Sequence, residues 1–164
     1  MKIKVGFGYD VHQLKENNPL MLGGIKIPSS KGSIGHSDGD VLIHAIIDAI
    51  LGAANLRDIG CHFPDTSEEL KGIDSKILLK NTIKILEKNN FKISNIDTTI
   101  CLQNPKLKNH IPEMKLVLSK TIGIDENDIS IKATTTEKLG FVGKEEGISA
   151  YAVVLIECLT LPVL

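Results

Sequence analysis

Arginine is almost absent. Arg57 is the only one in a chain of 164 residues that carries 19 Lys plus Arg. This excludes a site built from several bidentate guanidinium clamps. Net charge of one sign is also lacking: 20 Asp plus Glu leave a balance of -1. No global basic field exists to draw the chain onto nucleic acid or an anionic membrane, so neither is an expected partner. No apolar run reaches 18 residues, and Val153-Val154-Leu155-Ile156 is far too short to span a bilayer. The start, Met1-Lys2-Ile3-Lys4-Val5-Gly6, has no apolar stretch of the secretory kind. Cysteine is sparse: Cys61, Cys101 and Cys158 give an odd count at wide spacing. That excludes a disulfide framework and a C-x-x-C zinc site, and places the chain in a reducing, cytoplasmic compartment. Cys101 and Cys158 lie in strand-like runs, where they read as small buried hydrophobes.

What is present is the composition of a globular domain, with 42% hydrophobic and 24% charged residues. No repeat, low-complexity tract or linker divides it, so a single domain over 1–164 is expected. Strand patterns run over Lys2 to Tyr9, with Ile3, Val5 and Phe7 on one face, and over Ile93 to Leu102. Ile129 to Ala133 alternates again. Ile148 to Glu157 is apolar on nearly both faces, as a central strand would be. Three helices fit between them. The first spans Asp40 to Ala54, capped by Ser37, Asp38 or Asp40. The second starts at Asp74 or Ser75 and ends at Asn89-Asn90. The third opens at Pro112 and closes at Gly123. Strands interleaved with helices predict an α/β or α+β sandwich.

Several segments could carry chemistry. In Asp10-Val11-His12, residues two apart share a face, so Asp10 and His12 can address one ion while Val11 faces the core. His44 lies in the most apolar helix. The residues leave two readings open: a core histidine bonded to Asp48 one turn on, or a third ligand beside Asp10 and His12. In the second, Asp48 becomes the partner that fixes the tautomer. His36-Ser37-Asp38-Gly39-Asp40 reads as a capping loop, and its aspartates compete with any phosphate for the helix N–H groups. Asp58-Ile59-Gly60 and Phe63-Pro64-Asp65-Thr66-Ser67 read as turn-rich loop. Ala133-Thr134-Thr135-Thr136-Glu137-Lys138 offers hydroxyls and a hard oxygen for Mg²⁺, beside the plainer reading of a strand end and turn. On residues alone, a zinc hydrolase and a non-catalytic binding module both remain possible.

Together these segments resemble the 2-C-methyl-D-erythritol 2,4-cyclodiphosphate synthase family. The matching runs are Gly8-Tyr9-Asp10-Val11-His12, His36-Ser37-Asp38-Gly39-Asp40-Val41, Leu51-Gly52-Ala53-Ala54, Asp58-Ile59-Gly60 and Phe63-Pro64-Asp65-Thr66. Pro105-Lys106, His110-Ile111-Pro112 and Ala133 to Phe141 complete the set, in the family's order over essentially the whole chain.

The resemblance implies a fold: a four-stranded sheet with helices on one face, assembled as a homotrimer with sites between subunits. It implies an activity in the non-mevalonate isoprenoid pathway: conversion of 4-diphosphocytidyl-2-C-methyl-D-erythritol 2-phosphate to the cyclic diphosphate and CMP. It implies zinc on Asp10, His12 and His44, and a second divalent ion, Mg²⁺ or Mn²⁺, on Glu137. His36, Ser37, Asp58, Ile59 and Gly60 fall on the methylerythritol phosphate side, with Phe63, Pro64, Asp65, Thr66 and Ser67. Leu102, Gln103, Asn104, Pro105, Lys106, Leu107 and Lys108 fall on the cytidine diphosphate side, with Thr134, Thr135, Thr136 and Glu137. Phe141 and Lys144 are further substrate contacts. His36 and Thr135 match positions of transition-state stabilisation. Lys144 stands where the family often has arginine, and Tyr151 where a glutamate often lines the trimer axis. Both departures bear on an axial cavity that holds an isoprenoid diphosphate in the family. At 164 residues the chain is expected to lack the cytidylyltransferase fused to some relatives.

Overall fold

Two glycines set how the first helix meets the first strand. The computed structural model describes residues 2–159; residue 1 and residues 160–164 of the expected 1–164 domain lie outside the described residues. Its elements are β1 (Ile3–Glu16), β2 (Leu20–Leu22), β3 (Ile25–Ile27), β4 (Lys31–Ser33), α1 (Val41–Ala54), α2 (Ile59–His62) and α3 (Ser75–Lys88). These are followed by β5 (Phe91–Cys101), α4 (Ile111–Ile122), β6 (Ile129–Thr134), α5 (Gly140–Gly143) and β7 (Gly147–Cys158). A side chain on Gly6 would place its Cβ 1.9 Å from Ala49 O, and one on Gly8 would sit 1.9 Å from Ala45 O. Only glycine lets α1 lie this close on β1, and α1 answers with Ala45, Ala49 and Ala53.

The main sheet has five strands, in the order β4-β1-β7-β5-β6, with β5 and β6 parallel and the other pairs antiparallel. This corrects the four strands implied by the resemblance. β1 runs well past Tyr9, and its last residues pair with β4, Leu14 against Ser33. Lys31-Gly32-Ser33 has no apolar alternation, so the sequence gives no strand signal there. A separate hairpin, β2–β3, covers the start of α1. Its Gly23 and Gly24 N–H groups donate to buried Asp40 at 3.0 and 2.7 Å, and Asp40 also caps α1 through Ile43 N.

The three long helices fall where periodicity predicts. α1 is buried almost all round, and Leu79, Leu86, Met114 and Leu118 join its core from α3 and α4. β7 is the central strand, and its Ile148, Ala150, Ala152, Val154 and Ile156 lie under α1. The opposite face of the sheet is bare in the chain. Val5 is 64% and Phe7 63% exposed, and Tyr9, Val11, Tyr151 and Val153 stand beside them. The apolar face of β1 is therefore the open one, and Val11 does not face the core as expected. Cys101 and Cys158 are half-buried rather than buried, and all three cysteines are free.

Candidate metal centre and flanking clefts

The register of α1 on β1 builds the site. Gly6 meets Ala49 and Ala53, and Gly8 meets Ala45 and Ala49. Two residues of strand advance about 6.6 Å and four residues of helix about 6 Å, so contacts step together. The next inward residue after Gly8 is Asp10, and the next helical turn brings His44. Asp10 Oδ2, His12 Nε2 and His44 Nδ1 then form a triangle with every edge 3.1 Å. A tetrahedral ion with bonds of about 2.0–2.1 Å would hold its ligands about 3.3–3.4 Å apart, so the triangle needs almost no adjustment to seat one. The donor set, two imidazole nitrogens and a carboxylate, suits a divalent transition metal. Glu137 is not part of this cluster.

The electrostatics are those of a site waiting for positive charge. Burial raises the Asp10 pKa, but hydrogen bonds and charge from His12 and His44 outweigh it and hold the carboxyl well below the usual range. Burial likewise lowers His44, yet the bond to Asp10 and the charges of Asp10, Asp40 and Asp38 leave the imidazole above its ordinary value. A divalent cation can replace the proton that Asp10 draws onto His44. Asp10's other oxygen accepts from Val11 N at 2.8 Å, which fixes the carboxylate plane.

His44 is not bonded to Asp48. Asp48 instead accepts from Ile59 N at 2.7 Å and holds the start of α2. His44 Nε2 lies 3.0 Å from both Ser37 Oγ and Ser75 Oγ. Nothing in the sequence pairs residues 31 apart across a loop, so Ser75 was invisible to spacing arguments.

A cleft of about 440 Å³ opens over the triad. His12, His36, Ser37, Ile59, Gly60, Phe63 and Asp65 line it, as do three apolar residues not foreseen, Leu70, Ile73 and Leu78. His36 Nε2 sits 2.9 Å from Ser67 O, so the ring donates there. Asp58 caps α2 through Cys61 N at 3.0 Å, while Pro64 and Thr66 are exposed on the loop.

A second cleft, of about 480 Å³, lies elsewhere. Leu102, Pro105, Lys106, Leu107, Lys108, Ala133, Thr134 and Thr135 line it, with Ile111. Gln103 and Asn104 lie on the same loop; Gln103 Oε1 is buried without a partner, and Asn104 donates to Glu145. Thr135 Oγ1 donates to Glu137 at 3.3 Å. Phe141 packs its ring near Gly147, and Lys144 caps α5. The β1 and β6 ends are three strand spacings apart, about 14 Å across the sheet. One chain therefore keeps the metal triad and the threonine-rich loop apart.

A family model described as the YgbB family matches residues 3–157. The chain is 66% identical over 156 residues to the 2-C-methyl-D-erythritol 2,4-cyclodiphosphate synthase of Bacteroides fragilis, covering 95% of this chain and 98% of that protein. Among solved structures, the bifunctional IspDF from Campylobacter jejuni superposes with a TM-score of 0.92 at 44% identity. That match covers 96% of this chain and 42% of the bifunctional one. The CDP complex of Plasmodium falciparum IspF gives a TM-score of 0.84 at 37% identity, over 96% of this chain and 97% of that one.

Proposed function

This chain belongs to the YgbB family, and from that premise we infer that its two clefts are halves of one active site. The reaction is conversion of 4-diphosphocytidyl-2-C-methyl-D-erythritol 2-phosphate to 2-C-methyl-D-erythritol 2,4-cyclodiphosphate and CMP, a lyase step of the non-mevalonate isoprenoid pathway. The observation that carries this reading is the convergence of Asp10, His12 and His44 at one point in a cleft.

The substrate's own 2-phosphate attacks the β-phosphorus. A new P–O bond closes the ring, the bond from the β-phosphorus to CMP breaks, and CMP leaves with its electron pair. The nucleophile is intramolecular, so the chain's task is to fold the substrate into line and stabilise charge. Asp10, His12 and His44 would hold zinc, and Glu137 a second divalent ion, Mg²⁺ or Mn²⁺. When bound, such ions supply Lewis-acid charge to the phosphoryl oxygens, which suits a phosphate site with a single arginine. His36 lines the first cleft, and with Ser37, Asp58 to Gly60 and Phe63 to Ser67 it holds the methylerythritol phosphate. Leu102 to Lys108 and Thr134 to Glu137 hold the cytidine diphosphate, with Phe141 and Lys144 beside them. Thr135 and His36 steady the transition state from opposite halves.

The halves meet across subunits of a homotrimer. Support comes from the bare apolar face of β1 and β7, too large a patch for a free surface, and from the position of the clefts at opposite sides of the sheet. A ring of three copies covers that face and sets the first cleft of one beside the second cleft of the next. The whole chain acts as one domain in this ring. Tyr151 lies beside Tyr9 and Phe7 in tilted pairs, with centroids 5.0 and 6.4 Å away, and in the proposed ring these three side chains belong to the face turned toward the other copies. No described helix is long and apolar enough to cross a membrane, and we place the enzyme in the cytoplasm, where its reduced cysteines belong.

The test is incubation with the diphosphocytidyl substrate, with and without chelator, followed by phosphorus NMR. The expected products are CMP and a cyclic diphosphate, lost on chelation. Free phosphate or an open-chain product would point to a hydrolase instead.

A further inference from the structure

His44 is gripped from behind. Its Nε2 lies 3.0 Å from Ser75 Oγ, and Ser75 is fully buried at the first position of α3. Ser75 in turn reaches Asp38: its hydroxyl lies 2.5 Å from Oδ1 and its backbone N–H donates to Oδ2 at 3.1 Å. The proton order follows from what each group can do. An ionised carboxylate only accepts, so the Ser75 hydroxyl must donate to Asp38. Its lone pairs then face His44, and it accepts from Nε2–H, which Ser37 Oγ also faces at 3.0 Å. When an ion displaces the proton that Nδ1 shares with Asp10, the neutral ring has its Nδ1 lone pair aimed between Asp10 and His12.

A plainer role for Ser75 and Asp38 is to cap α3. Asp38 Oδ2 shares in that role by accepting from Ser75 N, while Asp74 is the N-cap and accepts from Lys76 N at 2.8 Å, so both caps are made without the Ser75 hydroxyl or Asp38 Oδ1. The segments around it are also zipped together, with Gly72 N donating to His36 O at 2.7 Å and Asp38 N to Ile73 O at 3.0 Å.

We propose that Asp38 and Ser75 are positioning residues for the metal centre, and that the Asp38–Ser75–His44 relay sets the tautomer and tilt of the His44 ring. Metal affinity then depends on how the start of α3 is seated, although no α3 residue is a ligand. The proposal rests on the reading of Asp10, His12 and His44 as a zinc site.

Zinc affinity, measured by competition with a chromophoric chelator on the full chain, tests it. Ser75→Ala and Asp38→Asn should each weaken zinc binding by about 10- to 100-fold, the usual effect of removing a partner behind a ligating histidine. The double variant should be no weaker than the poorer single one, because both act along one path. Proton NMR of zinc-loaded wild type should show the His44 Nε2–H as a resolved signal protected from solvent exchange by its bond to the buried Ser75 hydroxyl; this reading stands even where Ser75→Ala does not fold. Variants that bind zinc within twofold of wild type, or a His44 Nε2–H that exchanges freely with solvent, overturn the relay. A wild-type chain that takes up no zinc overturns the metal reading itself, and the relay with it.

Discussion

Glu137 and Lys138 both hold positive φ, 52° and 65°. Two adjacent non-glycine residues in the left-handed region cost about 1–3 kcal/mol each, a strain more typical of a working loop than of a plain turn. Glu137→Gln keeps the shape and removes the hard anionic ligand. Turnover should fall roughly 10²-fold or more, with zinc content and folding unchanged and partial recovery at raised Mg²⁺ or Mn²⁺. Near wild-type CMP release would remove Glu137 from the mechanism. The triad makes a second prediction at this scale. The Asp10–His44 pair of the metal-free chain gives stability that is lost as pH falls through the lowered Asp10 value, and lost again as pH rises through the raised His44 value. Zinc must displace the His44 proton, so apparent affinity should rise about tenfold per pH unit above 6.5 until that raised value is passed. Chelator competition across that range checks it, and a flat profile would show that no proton is exchanged. The triad was legible because Asp10 and His12 are two apart on a strand and His44 is polar in an apolar helix. Asp48 misled because i,i+4 spacing says only that two residues are neighbours; Ile59 N claims Asp48 first.

Among the elements, α1 on β1 matters most, because their register brings the ligands together. At Gly8 a Cβ would strike Ala45 O at 1.9 Å and Ala49 N at 2.7 Å, both backbone, so neither can yield cheaply. Gly8→Ala should cost about 3 kcal/mol or more and reduce zinc affinity by lifting His44 from Asp10. Gly52, on the same helix, has nothing within 4 Å of an added Cβ. Gly52→Ala should stabilise by about 0.4–1 kcal/mol and leave zinc alone. Denaturant melts of the two variants check this pair, and equal destabilisation would contradict the register argument. Long helices and long strands were readable from periodicity. β2, β3 and β4 were not: each is three residues long, too short for alternation to register. The open sheet face was hidden by the same pattern that revealed the strand, since alternation shows two faces without saying which one a helix covers.

For the whole molecule, the bare apolar face of β1 and β7 is the proposed interface with two further copies of the chain. Sedimentation at micromolar concentration should give a trimer, and a monomer would dispose of the ring. The sequence could name the residues of the two clefts but not their separation, because sheet order, and not spacing along the chain, puts about 14 Å between the ends of β1 and β6. Site sharing is tested most directly by mixing His44→Ala chains with Glu137→Ala chains. Each alone should be nearly inactive. After unfolding and random reassociation in equal amounts, every mixed ring contains one site with an intact triad from one copy and an intact Glu137 from the next. About a quarter of the wild-type CMP release should return. No recovery, from chains shown to exchange into mixed trimers, would contradict an active site shared between subunits.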